Sequence, residues 1–191
     1  MSKVVVFMNL TLDGVMQAPG RPDEDRRGGF EHGGWAMPYA TMEAAEESMA
    51  YTGALLLGRR TYEDFYAVWP QRKDNPISAR LDNMQKYVAS RTLSEPLAWS
   101  NSTLLKGDAA EAVARLKQEP GKDLVVMGSG ELIQSLMRGK LIDEYVLLIH
   151  PLVLGSGRRL FTDGGAFAAL RLVATKTTTT GVVIATYAAT H

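Results

Sequence analysis

The chain has 191 residues, 46% of them apolar, and 21 basic against 21 acidic side chains, for a formal net charge of zero. That balance argues against a sequence-independent nucleic-acid binder and against attraction to anionic membranes, while the apolar content suffices for one domain over 1–191 with a real core. The absence of cysteine excludes a disulfide scaffold, a thiol nucleophile and Cys-ligated zinc. No apolar run reaches signal or membrane-spanning length, so the expected location is the cytoplasm.

In chain order, Val4-Val5-Val6-Phe7-Met8 is a non-alternating β-branched run that predicts a buried strand. It leads into Asn9-Leu10-Thr11-Leu12-Asp13-Gly14, where Asp13-Gly14 signals a turn. From there to Pro38 the chain reads as loop, punctuated by Pro19-Gly20, Arg21-Pro22, Gly28-Gly29 and Gly33-Gly34. The mixed-sign run Asp23-Glu24-Asp25-Arg26-Arg27 predicts a solvated face, and so long a loop is expected to be a lid or a binding loop. Trp35 and Tyr39, at its end, either wall a pocket or anchor the loop to the core.

Residues 41–51 predict a helix with Ala45, Ser48, Met49 and Thr52 on one face. Residues 54–57 read as a second buried strand, ending at Gly58-Arg59-Arg60-Thr61-Tyr62; in the helix that follows, Tyr62, Phe65, Tyr66 and Trp69 form an aromatic stripe read as core. Ser78 is expected to cap the next helix, with Leu81 and Met84 inward. Residues 86–89 predict a third strand closing on Ser90-Arg91-Thr92, and a short strand is expected at 97–99. Asp108 and Glu111 form a capping box for a helix with Ala109, Ala112, Val113 and Leu116 inward, ended by Pro120-Gly121. Residues 124–127 predict a buried strand; Gly128-Ser129-Gly130 then turns into a helix carrying Ile133, Leu136 and Met137, stopped by Gly139. A strand over 144–149, a glycine-containing loop over 151–161 and a hairpin of 170–179 with 182–189 complete an α/β chain. The fold class is a mostly parallel sheet with an antiparallel edge.

Three predicted strands end in Gly58-Arg59-Arg60-Thr61, Ser90-Arg91-Thr92 and Gly128-Ser129-Gly130. Open parallel sheets bind ligands beyond the carboxyl ends of their strands, so these turns are candidates for one rim. Guanidinium forks and the free N–H groups of a helix start both suit phosphate oxygens. A dinucleotide with a pyrophosphate and an extra ribose phosphate, NADPH over NADH, would use all three; the other reading makes the arginines ordinary surface charges.

These turns, together with Asn9-Leu10-Thr11-Leu12-Asp13-Gly14, Gly33-Gly34-Trp35, Met127-Gly128 and His150-Pro151 through Leu154-Gly155 to Leu160-Phe161, fall in an order and spacing that identify a family. The chain resembles the dihydrofolate-reductase-like superfamily, in the branch similar to the reductase domain of bacterial riboflavin biosynthesis. The resemblance implies a three-layer fold around a mostly parallel sheet of about eight strands, with NADPH as cofactor. Carried over by position, Gly58, Arg59, Arg60 and Thr61 would hold the 2′-phosphate and pyrophosphate, and Ser90 and Arg91 would flank the adenine ribose phosphate. Gly128, Ser129, Gly130, Glu131 and Leu132 would lie under the pyrophosphate and nicotinamide ribose. Met8 and Asn9 would meet the carboxamide, and Met16 would close over the ring as part of a lid.

Trp35, Tyr39 and Leu154 are the implied substrate contacts, and a water ordered by Asp13, Tyr39 or Glu43 the implied proton source. Asp13 has a second reading, as a turn-stabilising side chain. Where folate reductases place a carboxylate early in the first helix, this chain has Met42; Glu43 is adjacent but on another face. That departure argues against a true dihydrofolate reductase. His32, His150 and His191 form no zinc signature, and His150 before Pro151 reads as structural. The resulting expectation is an NADPH-dependent reductase acting on a small pterin- or pyrimidine-like substrate. The alternatives are a non-catalytic nucleotide- or pterin-binding protein, or the pyrimidine-ribose reductase itself. No metal, nucleic acid or membrane partner is expected; a homodimer is implied by the relatives, with the terminal hairpin as the suspected surface.

Overall fold

The computed structural model describes residues 1–51 and 53–190; Thr52, assigned above to a helix face, and His191 lie outside the described residues. The elements in chain order are β1 Val4–Thr11, α1 Met42–Ala50, β2 Ala54–Gly58, α2 Arg59–Val68, α3 Pro76–Asn83, β3 Lys86–Ala89, β4 Ser102–Leu105, α4 Ala109–Gln118, β5 Leu124–Met127, α5 Gly130–Arg138, β6 Glu144–His150, β7 Ala169–Thr177 and β8 Val183–Thr190. The strands form an eight-stranded sheet in the order β4-β3-β2-β5-β1-β6-β8-β7. It is mostly parallel and ends in the antiparallel pair β7/β8, as the residue patterns predict. The chain divides into two compact units, Met1–Val4 with Thr52–Leu141 and Val5–Tyr51 with Ile142–His191.

In the first unit β2 lies parallel to β3 and β5, and β3 lies parallel to β4. Its core joins Leu55, Leu57, Tyr62, Leu81, Val88 and Trp99, with Phe65 and Trp69 packed on it. The aromatic stripe of α2 is thus core at three of its positions, while Tyr66 is 38% exposed and stacks flat on Tyr62.

Two local expectations are corrected. Helix α3 is capped by Asn75, whose side chain accepts from the Ile77 N–H at 2.9 Å, with Pro76 at the first helical position. Proline fixes φ there and needs no N–H partner, which starts the helix ahead of Ser78; Ser78 is buried inside the helix with its hydroxyl unpaired. The strand expected at 97–99 lies instead at Ser102–Leu105. Trp99 is committed to the core, and its backbone N–H goes to the Tyr62 hydroxyl at 2.8 Å rather than to a neighbouring strand.

In the second unit β1 is parallel to β6, and β6 is antiparallel to β8. Helix α1 is capped by Thr41, but none of its residues is buried and Met49 is 44% exposed. The half-buried side carries Ala45 and Ser48 together with Glu47, which pairs with Lys176, while Met49 turns outward. On β7, Leu172 and Val173 stand more than half exposed beside a bulge.

The 14–38 segment is not structureless. Val15, Ala18, Phe30 and Trp35 form a core of their own. Gln17 donates to the carbonyls of Asp25 and Arg27 and accepts from the Arg158 N–H. Met16 and Val15 are stapled to the 158–159 backbone. The mixed-sign run is also only partly a solvated face, because Asp25 binds Arg27 through two side-chain bonds and sits mostly covered.

Candidate functional site

In the first unit β3, β2 and β5 are parallel neighbours, so the turns that follow them share one edge. Helices α2 and α5 start directly from β2 and β5, and neither has a side-chain cap. Uncapped first turns leave N–H groups and the positive dipole end facing outward, which favours an anion. The Ser129 hydroxyl ties the two turns together: it accepts from the Gly58 N–H at 2.8 Å and lies 3.1 Å from the Thr61 hydroxyl and 3.0 Å from the Met127 carbonyl. Gly128 has φ +67°, and a Cβ there would sit 2.8 Å from Thr61 Cγ2, so only glycine allows this approach.

The arginines are held by short-range partners. Arg59 pairs with Glu63 at 3.4 Å and Arg60 with Glu131 at 3.5 Å, all on exposed side chains. Such pairs contribute little to stability and exchange readily for another anion. Thr61 turns its hydroxyl inward to Ser129, leaving its backbone N–H as its means of meeting a ligand. Ser90 accepts from the Thr92 and Leu93 N–H groups and shapes the turn that displays the exposed Arg91. Leu132 is buried in α5 and serves packing. A cavity of about 510 Å³ in this unit, lined by Ser2, Arg80, Gln85, Tyr87 and Lys122 among others, opens at the amino ends of the strands, away from these turns.

In the second unit Met8 is buried in β1, and Asn9 near its end places Oδ1 3.0 Å from His150 Nε2. His150 is the last residue of β6, and Trp35 and Tyr39 meet its ring edge-on at 5.2 and 5.6 Å. Burial pushes its pKa down to about 4, so the imidazole is neutral at pH 7. Trp35 is 6% exposed and donates its indole N–H to the Gln17 carbonyl at 2.7 Å, which makes it an anchor as well as a wall. Tyr39 is half-buried, and Leu154 packs on the Trp35 cluster.

Two of the three proposed water-ordering groups are engaged elsewhere. Asp13 accepts from the Thr11 hydroxyl at 2.6 Å, from the Leu154 and Gly155 N–H groups and from Arg159. These bonds, led by the Thr11 hydroxyl, hold its carboxyl at about 2. Its oxygens are spent on fixing the loop after β6, and the turn-stabilising reading of Asp13 fits this geometry. Glu43 is held below its ordinary pKa by its own backbone N–H and by hydrogen bonds with Thr41 and Thr179, so it is no acid at neutral pH.

A pH dependence follows for Asp13. Its folded pKa lies below the ordinary 3.8, so its contribution is complete above about pH 4 and is lost as pH falls toward 2. In acid unfolding followed by circular dichroism, Asp13→Asn should therefore be less stable than the native protein at pH 7, and the difference should shrink between pH 4 and 2.

A sequence profile of the RibD C-terminal domain matches residues 2–184. The chain belongs to the RibD C-terminal domain family. Within and around that family it is 34% identical over 137 residues to YyaP, an uncharacterized protein of Bacillus subtilis (strain 168), covering 70% of this chain and 72% of the relative. A crystal structure of a putative riboflavin biosynthesis protein from Shewanella sp. PV-4 superposes with a TM-score of 0.72 at 22% identity, over 99% of both chains. Dihydrofolate reductase from Enterococcus faecalis, complexed with NADP(H), superposes with a TM-score of 0.60 at 14% identity, over 99% of this chain and 97% of that one. At such identities the likeness establishes the fold. This RibD C-terminal domain therefore has a dihydrofolate-reductase-like architecture. Among its described residues no helix is long and apolar enough to cross a membrane, and no group of three or more His, Cys, Asp or Glu residues is arranged to hold a metal ion.

What the sequence did not show is the partner of His150, which was read as structural because it precedes Pro151. Its signal lay in the strand ends: β1 and β6 pair with Thr11 opposite His150, which brings Asn9 within its reach.

Proposed function

We propose that the protein is an NADPH-dependent reductase, cytoplasmic in location, that acts on a small pterin- or pyrimidine-like heterocycle. The observation that carries this reading is the pair of uncapped helix starts, α2 and α5, locked by one serine hydroxyl and flanked by Arg59, Arg60 and Arg91. The residues fit the cofactor's phosphates: backbone N–H groups for a pyrophosphate, guanidinium forks for the 2′-phosphate, and a glycine where the backbone must be bare. When bound, the nicotinamide supplies a hydride; the protein's part is to bind, orient and exclude water. The contacts of Met8, Asn9 and Met16 to the nicotinamide end, and of Trp35, Tyr39 and Leu154 to the substrate, are proposed on the family resemblance. So is a homodimer.

The test is titration of intrinsic tryptophan fluorescence with NADPH and NADH, for the native protein and for Arg59→Ala and Arg60→Ala. NADPH should bind tighter than NADH by about tenfold or more, and the preference should fall in at least one variant by a factor set by a charge-assisted bond, roughly tenfold. Binding of neither nucleotide ends the reductase reading.

A second reading, a non-catalytic binder on the same fold, is favoured by one observation. Asp13 and Glu43, the only carboxylates assigned to protonation, are both held anionic by their own hydrogen bonds. Nucleotide binding without NADPH oxidation across pterin and pyrimidine substrates would support it.

A further inference from the structure

Three buried side-chain polar atoms among the described residues have no hydrogen-bond partner: the Ser78 and Ser102 hydroxyls and His150 Nδ1. Buried polar groups in folded proteins are nearly always paired, so each needs a reason. A serine hydroxyl rotates to suit its surroundings and says little about a ligand. An imidazole nitrogen is different, because its direction is set by the whole ring. Here the ring is fixed by Asn9 on its Nε2 side and by Trp35 and Tyr39, which stand edge-on to it. The backbone carbonyl of His150 is also in use, accepting from the Leu152 N–H at 2.8 Å across Pro151.

With Asn9 Oδ1 as acceptor, Nε2 carries the ring proton and Nδ1 keeps a lone pair. The residue is 4% exposed and ends a strand of the parallel pair β1/β6, at the carboxyl end where ligands of such sheets bind. We infer that the Asn9–His150 pair is a recognition element in which Nδ1 accepts a hydrogen bond from a neutral amide-type N–H of the bound ligand, beside Trp35 and Tyr39. The aromatic surroundings select a neutral donor, since an ammonium would be desolvated there without a counter-charge. A fixed buried acceptor also discriminates strongly against a ligand lacking the donor, because that ligand leaves the acceptor desolvated and unpaired.

The inference rests on the reductase reading only for the two sources of such an N–H: the carboxamide of the nicotinamide, or a ring lactam of the substrate. Two pairs of probes separate them. NADP⁺ and its 3-acetylpyridine analogue differ by the carboxamide NH₂, and pterin and 3-methylpterin differ by the ring N–H. Affinity for all four would be measured on the native protein and on His150→Phe and His150→Gln. In parallel, the native protein with ¹⁵N-labelled histidine would be followed by NMR during each titration, and His150 assigned by elimination with His32→Gln and His191→Gln.

In one of the two pairs the N–H-bearing probe should bind about tenfold tighter or better, as loss of a buried hydrogen bond predicts. That preference should vanish in His150→Phe and survive at least partly in His150→Gln, which keeps an acceptor. The His150 Nδ1 resonance should shift with that probe and stay put with its partner. The inference is overturned if neither pair shows a preference, if the preference persists in His150→Phe, or if the Nδ1 resonance does not respond. NADPH binding retained alongside any of those outcomes leaves the reductase reading standing; loss of NADPH binding by the native protein removes that reading instead. The native-protein NMR decides the matter even where a variant folds poorly.

Discussion

Gly128→Ala is expected to lower NADPH affinity by at least tenfold and to cost roughly 2–3 kcal/mol of stability, the sum of backbone strain and a forced local shift. At φ +67° an L-residue is strained whatever surrounds it, and here the new Cβ would also lie 2.8 Å from Thr61 Cγ2 and 3.0 Å from its hydroxyl. Thr61 sits in the first turn of α2, and its hydroxyl is tied to Ser129, which in turn takes the Gly58 N–H. Moving Thr61 therefore disturbs the strand-to-helix turns after both β2 and β5, the two that are proposed to share one phosphate-bearing ligand. Gly107→Ala separates the two causes. Gly107 has φ +83° but nothing within 4 Å of an added Cβ, so it carries the strain without the contact. Urea unfolding should show both variants destabilised, while the fluorescence titration should show only Gly128→Ala losing NADPH. Adding Thr61→Ser to Gly128→Ala removes the crowded methyl and should recover part of the affinity. Equal affinity in the native protein and Gly128→Ala would mean that the ligand does not use this turn.

The same residues show what a sequence can and cannot reveal. The non-alternating runs of β1, β2 and β5, the Asp108 cap of α4 and the glycine stop of α5 are local signals, and each appears where its chemistry predicts. The glycine turn after β5 was legible for a similar reason, since Gly128 takes a positive φ that favours glycine. Failures came where a long-range partner overrode a local preference. Residues 97–99 read as a strand, but Trp99 is held by Tyr62, which lies 37 positions earlier. Met49 read as sharing a face with Ala45 and Ser48, but the half-buried side of α1 takes in Glu47 instead, with Lys176 as its counter-charge. The 14–38 segment read as loop, and its small core stayed hidden because Val15, Ala18, Phe30 and Trp35 come together at no regular spacing. The Asn9 partner of His150 was not legible for a further reason: only the register of β1 against β6 brings the two together. Spacing patterns report which face a residue occupies. They do not report which distant polar group it meets.

Lys86→Met is expected to be among the most destabilising single changes in the first unit, at about 3–5 kcal/mol, although a sequence reading treats Lys86 as an ordinary strand residue. The side chain is wholly buried, and its ammonium donates to the carbonyls of Leu81 and Met84 at 2.6 and 2.7 Å and lies 3.3 Å from that of Asp82. These carbonyls belong to the end of α3 and the residue just past it, where helix geometry leaves acceptors without partners and a cation is favoured by the dipole. The ammonium also lies 4.5 Å from the centre of the Trp99 ring, whose indole N–H is bound to Asp82 Oδ1 at 2.6 Å. Methionine matches the volume but donates nothing, so the loss is that of satisfied carbonyls rather than of packing. Burial also lowers the Lys86 pKa from 10.5 to about 8. Between those values the unfolded chain holds the proton and the folded chain does not, so this group makes stability rise with pH across that window. Urea unfolding of both proteins from pH 7 to 10 should therefore show the native protein gaining on Lys86→Met as pH increases. A Lys86→Met protein as stable as the native one at pH 7 would mean that the α3 carbonyls find water or another donor, and that the buried lysine is dispensable to the fold.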